Sequence, residues 1–509
     1  MYEVGAWPEY GAGLAWRGAG LAWRGAGLAR PDREQSAMPA VYWFDPSCEE
    51  QVARGCAGFV PGRLPRLLAE DLELLPVYLA GPRDVLLVRR TPRPAFLQRL
   101  ADAGFSLPRC VEVPGSRLDR RTCERIVAGT GMSVAGPVAG AEPLHLRPWG
   151  WSPETAAFLA PLASMSQVKG VTAWSERLAR LYSKAFGAEV LEHFLRDHSA
   201  PWLCPADAVG EVCSTTTQVT AVLQDCLRPD GAARAVIKAQ FGQAGRQQLR
   251  VATPRLEERQ QAWLNRVLQN QERVVVEPWL DRVMDLSMHL DIGATGRATY
   301  RGWVRFLSDD HGQFRGAVIS AGEDGSMPAA AASAASATSA APAGLPSRGF
   351  ADLLGALADH VGASFTGSGY EGPVGVDMLI YRDADRHRLK PVVEINPRFT
   401  MGRVALHLAK ALAPGCAGIW SILSVRQVLT AGFDNITGLL EELRRCQPYQ
   451  RGERGLEQGV LSTTDPETAQ AFLSLLVVGP GIGACVEMLD AYPPLGACVP
   501  SEARQALAG

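Results

Sequence analysis

The first folded part of the chain shows short apolar runs separated by helical spacing. Asp84 to Val88 contains four consecutive aliphatic residues, a pattern typical of a buried parallel strand. Ala95 to Phe105 predicts a helix that ends at Gly104, and Val111 to Pro114 predicts the next strand. Strand, helix and strand at this spacing indicate an α/β unit, which we assign to residues 38–160.

The middle of the chain changes from helical to strand patterns. Residues 165–235 are predicted to be mostly helical, and strand signals become dense from Ala235 onwards. The predicted elements are helices at Trp174–Phe186, Val209–Leu227 and Leu256–Glu272, and strands at Ala235–Lys238 and Arg273–Glu277. The overall prediction is a multidomain α/β and α+β protein.

Two extended segments late in the chain carry polar residues in a strict alternation. Val374, Val376, Met378 and Ile380 alternate with Gly375, Asp377 and Leu379. A polar turn from Arg382 to Lys390 leads to a second strand, in which Glu394 and Asn396 share one face. A hairpin can therefore present Asp377, Glu394 and Asn396 together. Three oxygen ligands suit Mg²⁺, with Mn²⁺ as the alternative ion. The competing interpretation is a solvated strand face, or Glu394 paired with Arg398.

Three regions differ from the rest. Residues 1–37 repeat Gly-Leu-Ala-Trp-Arg-Gly-Ala with a period of seven from Gly13, and their glycines disfavour a helix. We interpret them as a non-globular repeat; the alternative is that translation starts at Met38, before the strand-like Ala40–Phe44. Residues 324–346 are rich in alanine and predict a surface insertion. Residues 447–509 are predicted to be a small C-terminal unit. Its apolar run from Ala469, behind the helix-start signal Asp465-Pro466-Glu467, predicts a short buried helix that ends at the Gly479-Pro480 turn.

Composition narrows the class of protein. The 509 residues carry a net charge of -2, with 47% apolar and 20% charged residues, as in an ordinary globular enzyme. The chain has no excess of basic residues that would indicate nucleic-acid binding, and it has no apolar run long enough to span a membrane. Eleven scattered cysteines, without zinc spacing or a secretory signal, predict reduced thiols and a cytoplasmic protein.

The polar hairpin resembles the metal-binding hairpin of the ATP-grasp superfamily. The resemblance rests on Gly375-Val376-Asp377 and on Glu394-Ile395-Asn396-Pro397-Arg398. It implies that Asp377, Glu394 and Asn396 hold magnesium at the ATP phosphates. It also implies that Arg398 lies near the transferred phosphate or the substrate carboxylate. The implied fold is an N-terminal α/β domain at 38–160, followed by an ATP-grasp domain at 165–425 with helical, small and antiparallel-sheet subdomains.

Further residues match the superfamily pattern in the expected order along the chain. Lys238 ends a strand before a small-residue loop with Gly242 and Gly245, where backbone N–H groups can approach phosphate. The resemblance implies phosphate contacts for this loop and for Lys238, and for an earlier lysine, Lys184. It implies adenine contacts for the segment containing Glu277, Trp279 and Leu280, and ribose contacts for Asp285. The alternatives are a surface lysine for Lys184 and a strand-start cap for Asp285.

The implied activity is that of an ATP-grasp ligase that forms a C–N bond. A substrate carboxylate would attack the γ-phosphate of ATP, and an amine, or less favourably a thiol, would then displace phosphate. Lys238 and Arg398 would supply positive charge where negative charge develops. The alternatives are phosphoryl transfer without ligation, or a non-catalytic nucleotide-binding module. The expected partners are small-molecule acids and amines, with neither nucleic acid nor a membrane.

Several other residues are open candidates for the acceptor site. Predicted strands are flanked by three arginines, Arg301, Arg305 and Arg315. They line either the acceptor site or a solvated strand face, and the solvated face is the favoured interpretation. Trp149, Trp151 and Trp279 either border a pocket or pack in the core or a rigid turn, which is the favoured interpretation for each.

Overall fold

A computed structural model describes most of the chain from residue 38 to residue 491. The described ranges are 38–113, 115, 117–129, 144–165, 168–169, 174–228, 232–242, 247–309, 312–321, 345–430 and 432–491. The predictions for residues 1–37, for most of the alanine-rich insertion and for the end of the C-terminal unit lie outside the described residues.

A five-stranded parallel sheet forms the first part of this region. Its order is β3-β2-β1-β4-β5, and every neighbouring pair runs parallel. The strands are β1 (Ala40–Trp43), β2 (Val85–Val88), β3 (Arg109–Glu112), β4 (Leu144–Pro148) and β5 (Val168–Lys169). The helices are α1 (Cys48–Arg54), α2 (Arg63–Asp71), α3 (Pro94–Asp102), α4 (Arg120–Gly129) and α5 (Pro153–Ala163), with a 3₁₀ turn at Leu75–Tyr78. The α/β prediction is confirmed, because parallel strands alternate with helices. Strands β1 and β2 are buried at every position, as expected for the centre of such a sheet.

A four-stranded antiparallel sheet follows, in the order β6-β9-β7-β8. Its strands are β6 (Glu211–Cys213), β7 (Ala235–Ala239), β8 (Gln248–Val251) and β9 (Val274–Pro278). The associated helices are α6 (Glu176–Leu181), α7 (Lys184–Asp197), α8 (Thr216–Cys226) and α9 (Glu258–Gln271), with a 3₁₀ turn at Ala206–Ala208. The strands predicted at Ala235–Lys238 and Arg273–Glu277 are confirmed.

Two predicted helices in this region were wrong in extent. The helix predicted at Trp174–Phe186 is divided, because the Ser183 hydroxyl accepts a hydrogen bond from the Phe186 N–H and starts a new helix. The helix predicted from Val209 begins only at Thr216, where Thr215 and Gln218 form a capping box. Residues 211–213 instead pair with β9 as a short strand.

A nine-stranded antiparallel sheet forms the largest part of the structure, in the order β14-β13-β10-β11-β12-β15-β18-β17-β16. Its strands are β10 (Asp281–Ile292), β11 (Ala298–Ser308), β12 (Phe314–Ser320), β13 (Gly372–Asp383), β14 (Arg386–Asn396), β15 (Ala417–Ser424), β16 (Gln450–Gly452), β17 (Gly455–Ser462) and β18 (Phe472–Gly479). The helices are α10 (Ser347–Ser364), α11 (Met401–Ala409), α12 (Val425–Thr430), α13 (Ile436–Cys446) and α14 (Ile482–Asp490). The α+β prediction is thereby confirmed.

Two further sequence predictions need correction. The helix predicted between Ala469 and the Gly479-Pro480 turn is wrong, because Phe472–Gly479 form strand β18. Helix α14 follows from Ile482. A short apolar run does not by itself distinguish a buried strand from a buried helix. The turn predicted from Arg382 to Lys390 is shorter, because β13 extends to Asp383 and β14 starts at Arg386.

The domain boundaries stay predictions. The strands β16, β17 and β18 extend the sheet that contains β10 to β15, so the nine-stranded sheet includes residues on both sides of position 447. Within the described residues, no helix is both long enough and apolar enough to cross a membrane.

Asp71 connects the N-terminal part to the nine-stranded sheet. Its carboxylate accepts hydrogen bonds from three consecutive backbone N–H groups at distances of 2.9, 2.7 and 2.8 Å, those of Gln470, Ala471 and Phe472. Asp71 is only 7% exposed. Its removal would leave three backbone N–H groups without their charged acceptor, which is costly.

We expect Asp71→Ala to lower the free energy of unfolding by about 2–4 kcal/mol, because three N–H groups lose a charged acceptor. The measurement is urea unfolding followed by tryptophan fluorescence. Asp102→Ala is the control, since Asp102 is an exposed residue that hydrogen-bonds only to Gln98 among the contacts described, and a change within about 0.5 kcal/mol is expected. Equal effects of the two changes would contradict a connecting role for Asp71.

Candidate active site

The hairpin of β13 and β14 brings the predicted metal-binding residues side by side. Asp377 lies opposite Glu394, and Gly375 lies opposite Asn396, in the antiparallel register. Asp377 Oδ1 accepts a hydrogen bond from Ser287 Oγ at 2.8 Å, and Asp377 Oδ2 accepts one from Asn396 Nδ2 at 3.0 Å. The three residues therefore share one face of the sheet, with Ser287 of β10 beside them.

Burial and like charge shift the protonation of this hairpin. Burial, followed by repulsion from Glu394, raises the pKa of Asp377 to about 7. Two carboxylates so close together favour a proton or a cation between them. A divalent cation fits this donor set, because it would neutralise both carboxylates and accept the amide oxygen of Asn396 as a third ligand. No cluster of three or more His, Cys, Asp or Glu side chains suited to a metal occurs in the described part of the chain, so the candidate comprises two carboxylates and one amide.

Lys184 joins the hairpin to the loop that follows β7. Its Nζ lies 2.6 Å from Glu394 Oε1 and donates to the Gly242 carbonyl oxygen at 2.9 Å. Burial would lower the pKa of Lys184, but Glu394 and Glu49 outweigh it and raise that pKa. The lysine is therefore charged and inward-facing, and the surface-lysine alternative is wrong. Gly245 lies outside the described residues.

A buried carboxylate between two lysines forms the second half of the site. Glu277 on β9 pairs with Lys238 of β7, and its Oε2 lies 2.8 Å from Lys390 Nζ of β14. Burial alone would raise the pKa of Glu277, but Lys238 and Lys390 outweigh it and lower this pKa to about 2. These three residues line a small cavity together with Lys184.

Sequence analysis missed Lys390. It was assigned to a polar turn, yet it lies inside β14 and is 2% exposed. The available signal was the alternation of the strand, because Lys390, Glu394 and Asn396 are separated by even numbers of residues and so lie on one face. Its burial brings a third ammonium group to the cavity.

Arg398 makes an ion pair with the N-terminal domain. Its Nε and Nη2 lie 2.6 and 2.5 Å from Glu49 Oε1, and its Nη2 also donates to Asn396 Oδ1 at 3.0 Å. Glu49, not Glu394, is thus the partner of Arg398, and Glu394 pairs with Lys184, so the alternative in which Glu394 pairs with Arg398 is wrong. Sequence analysis also missed Glu49. It lies in the first turn of α1, just after the carboxyl end of β1, where ligands of parallel sheets commonly bind.

The residues predicted to contact the adenine base and the ribose make other contacts within the protein. The Trp279 N–H donates to the Arg234 carbonyl oxygen at 2.8 Å. The contact of Trp279 with the base stays a prediction. Leu280 follows β9 and remains a predicted adenine contact. Asp285 accepts from Arg282 Nη1 at 2.9 Å and lies inside β10, so it is not a strand-start cap. Burial raises the pKa of Asp285, and its ribose role stays a prediction.

The three tryptophans differ in environment. Trp149 and Trp151 are 2% and 5% exposed and belong to the core, as the favoured interpretation predicted. Trp279 is covered by Arg250 and Arg282, whose guanidinium carbons lie 4.9 and 5.8 Å from its ring centroid. The environments of these three tryptophans do not support a substrate pocket.

Solved structures of other proteins are similar to this one over most of its length. No protein-family model and no curated protein matches the sequence. The structure is similar to an N5-carboxyaminoimidazole synthetase from Staphylococcus aureus complexed with ADP, at 10% identity and a TM-score of 0.45, covering 90% of this chain and 97% of that chain. It is similar to a biotin carboxylase from Campylobacter jejuni in a β-γ-ATP complex, at 10% identity and a TM-score of 0.43, covering 89% and 90%.

A third similar structure is a carboxyaminoimidazole ribonucleotide synthase from Aspergillus clavatus complexed with ATP. The identity is 13%, the TM-score is 0.42, and 91% of this chain and all of that chain (100%) are covered. Along the chain, a parallel sheet is followed by a small antiparallel sheet and then by a large antiparallel sheet, which is the order that the sequence analysis predicts.

The ion pairs of Glu277 generate a pH prediction. The folded pKa of about 2 lies below the ordinary value of 4.5, so the stabilisation is complete above pH 4.5 and is lost as the pH falls towards 2. We expect the stability difference between the wild type and Glu277→Gln to shrink by about 2 kcal/mol between pH 4.5 and pH 3, and further towards pH 2.

The measurement is urea unfolding of both proteins between pH 7 and pH 3. Glu258→Gln, at an exposed glutamate in the first turn of α9, is the matched control and should change much less with pH. A stability difference for Glu277→Gln that stays constant down to pH 3 would show that the two lysines do not hold the carboxylate ionised.

Proposed function

We propose that this protein is a Mg-ATP-dependent ATP-grasp ligase that activates a carboxylate and joins it to an amine. The observation that carries the proposal is one continuous set of buried charges between the sheets. Asp377 and Glu394 lie on the hairpin, and Lys184 links Glu394 to the phosphate-loop carbonyl of Gly242. Such a concentration of inward charge on apolar strands is expensive unless it serves ligands.

The lysines supply the nucleotide-binding part of the proposal. Lys238 and Lys390 share a single carboxylate, Glu277, so this group of three carries one net positive charge inside the protein. Adding the phosphates of ATP at the adjacent loop would compensate that charge. Lysine binds phosphate as a point charge, which needs no fixed geometry. Gly242 lies at the start of the loop, where backbone N–H groups can approach an anion.

The hairpin supplies the metal-binding part. Asp377, Glu394 and Asn396 would hold Mg²⁺, which when bound neutralises phosphate charge and orients the nucleotide. Ser287 fixes the Asp377 carboxylate through a hydrogen bond of 2.8 Å. Asn396 is fixed in turn, since its amide contacts both Asp377 and Arg398. The Asp377 carboxylate is thus positioned in advance, and such preorganisation is the usual source of catalytic charge stabilisation.

Arg398 and Glu49 supply the proposed site of the reacting carboxylate. A carboxylate oxygen of the substrate attacks the γ-phosphorus of ATP, the bond to the ADP oxygen breaks, and an acyl phosphate forms. The amine nitrogen then attacks the acyl carbon, phosphate leaves, and the amine releases a proton. Arg398 lies next to Asn396 and would stabilise the negative charge of the first step. Glu49 holds this guanidinium in place.

The alternatives predict other products. Phosphoryl transfer without ligation leaves a stable phosphorylated acid. A non-catalytic module binds ATP without ADP release. The paired Asp377 and Glu394 support catalysis, because two neighbouring carboxylates weaken the binding of an anionic nucleotide unless a cation accompanies it.

Glu394→Gln tests the proposal through ADP release in a screen of amino acids and small acids with Mg-ATP. We expect the change to reduce acceptor-stimulated ADP release at least about 100-fold, because it removes a metal ligand and the partner of Lys184. Glu371→Gln, an exposed glutamate just before β13, is the matched control and should retain activity. A wild type that binds ATP but releases no ADP with any acceptor would favour the non-catalytic module.

Arg398→Lys tests the role of the guanidinium. We expect turnover to fall at least about 10-fold while the Kd of Mg-ATP changes little, because lysine cannot contact Glu49, Asn396 and a substrate oxygen together. The control is Arg388→Lys in β14, the strand that precedes Arg398; Arg388 pairs with Asp383. Full turnover of Arg398→Lys would exclude a role for the guanidinium fork.

A further inference from the structure

A second group of buried charges lies beside the proposed active site. Asp291 of β10 accepts a hydrogen bond from Arg301 Nε of β11 at 2.6 Å and also pairs with Arg403 of α11. Arg147 of β4 acts electrostatically on the same carboxylate and hydrogen-bonds to the hydroxyl of Tyr42. We refer to Arg147, Arg301 and Arg403 as the arginine cluster.

Positive charge exceeds negative charge in this group. The cluster brings three guanidinium groups to Asp291. Asp84 also acts electrostatically on Arg147, but its carboxylate already accepts hydrogen bonds from two backbone N–H groups. Burial lowers the pKa of Arg403, and Arg301 and Arg147 lower it further. The side chains of Arg403 and Arg301 are only 6% and 19% exposed. Excess buried charge of one sign is costly without an additional counter-ion.

Two buried polar atoms near Arg403 also lack hydrogen-bond partners among the described residues. One is Nε2 of His289, which is 2% exposed, and the other is Oγ1 of Thr400, which is 6% exposed. Thr400 precedes the first turn of α11, and its side chain makes no cap hydrogen bond there. His289 lies against Gly402 in the same turn. Buried polar groups are normally satisfied, and a bound anion would offer both atoms a hydrogen-bond acceptor.

The position of the cluster connects it to the reacting centre. Arg403 lies five residues after Arg398, and the Phe399 N–H between them donates to the Trp149 carbonyl oxygen at 2.7 Å. Arg147 comes two residues before Trp149, near the carboxyl end of β4. The cluster and Arg398 therefore lie along the same contact between the parallel sheet and α11. The first turn of a helix also favours an anion.

We propose that the arginine cluster binds an oxyanion of the acceptor substrate, a carboxylate or a phosphate monoester separate from the group that reacts. This proposal rests on the ligase function proposed above and adds a substrate class, namely acceptors with an anionic group. Arginine suits this task because its planar guanidinium donates two parallel hydrogen bonds to such a group. Two of the arginines considered from the sequence differ in their partners. Arg301 belongs to the cluster, whereas Arg315 pairs with Asp309.

The first test is thermal unfolding with inorganic phosphate or succinate as the probe, compared with chloride at equal ionic strength. We expect both probes to raise the Tm of the wild type and of Arg315→Gln by several degrees, and to leave that of Arg301→Gln unchanged. Arg301→Lys, which keeps the charge, should show a reduced shift and serves if the glutamine variant does not fold. A response to phosphate alone would identify a phosphate monoester site, and a response to succinate alone would identify a carboxylate site.

Two results of this test would overturn the proposal. One is the absence of any Tm shift in the wild type. The other is a shift that persists in Arg301→Gln but disappears in Lys238→Gln, because it would belong to the lysine-lined cavity. Both would leave the cluster as a structural ion-pair group between the two parts of the chain.

The second test uses ADP release with matched acceptors, such as L-glutamate and L-glutamine, or L-alanine and L-alaninamide. We expect the acid of a pair to be the better acceptor, and Arg301→Gln to raise the KM for the acid at least tenfold without changing the KM for Mg-ATP. Equal use of acid and amide would contradict the proposed substrate class. Absence of ADP release with every acceptor would instead contradict the ligase function, while the thermal test still reports on the anion site.

Discussion

The site depends on one constraint: charges buried between sheets require partners of opposite sign. Glu277 is ionised because Lys238 and Lys390 surround it, and Lys184 is charged because Glu394 and Glu49 face it. Each pair joins strands or helices that are distant in the sequence. The small sheet, the hairpin and α7 are therefore connected through the same side chains that we propose to contact ATP. An ordinary hydrophobic core would not specify these connections.

The parallel sheet contributes to this arrangement at its carboxyl edge. Glu49 follows β1 and contacts Arg398, and Arg147 near the end of β4 belongs to the arginine cluster. The N-terminal part thus provides charges on both sides of the segment that begins at Arg398. In this account the large sheet and the small sheet hold the nucleotide, while the parallel sheet and α11 hold the substrates.

Local patterns in the sequence predicted the parts of the site that lie within single strands. Period-two alternation placed Asp377, Glu394 and Asn396 on one hairpin face, and the apolar run before Lys238 indicated its strand. Glu49 and Lys390 could not be predicted in this way, because their significance comes from partners far away in the chain, Arg398 and Glu277. The apolar run from Ala469 was assigned to a helix because Asp465-Pro466-Glu467 precedes it as a helix-start signal, and only pairing with β15 and β17 shows that Phe472–Gly479 form a strand.

The central claim is that the hairpin carboxylates and the lysines bind one metal–nucleotide complex. Calorimetric titration of ATP into the wild type and Asp377→Asn, with and without Mg²⁺, tests it most directly. The account predicts that Mg²⁺ tightens ATP binding at least about tenfold in the wild type and hardly at all in Asp377→Asn. Binding of ATP that is equally tight in both proteins with and without Mg²⁺, or no binding to the wild type, would contradict it.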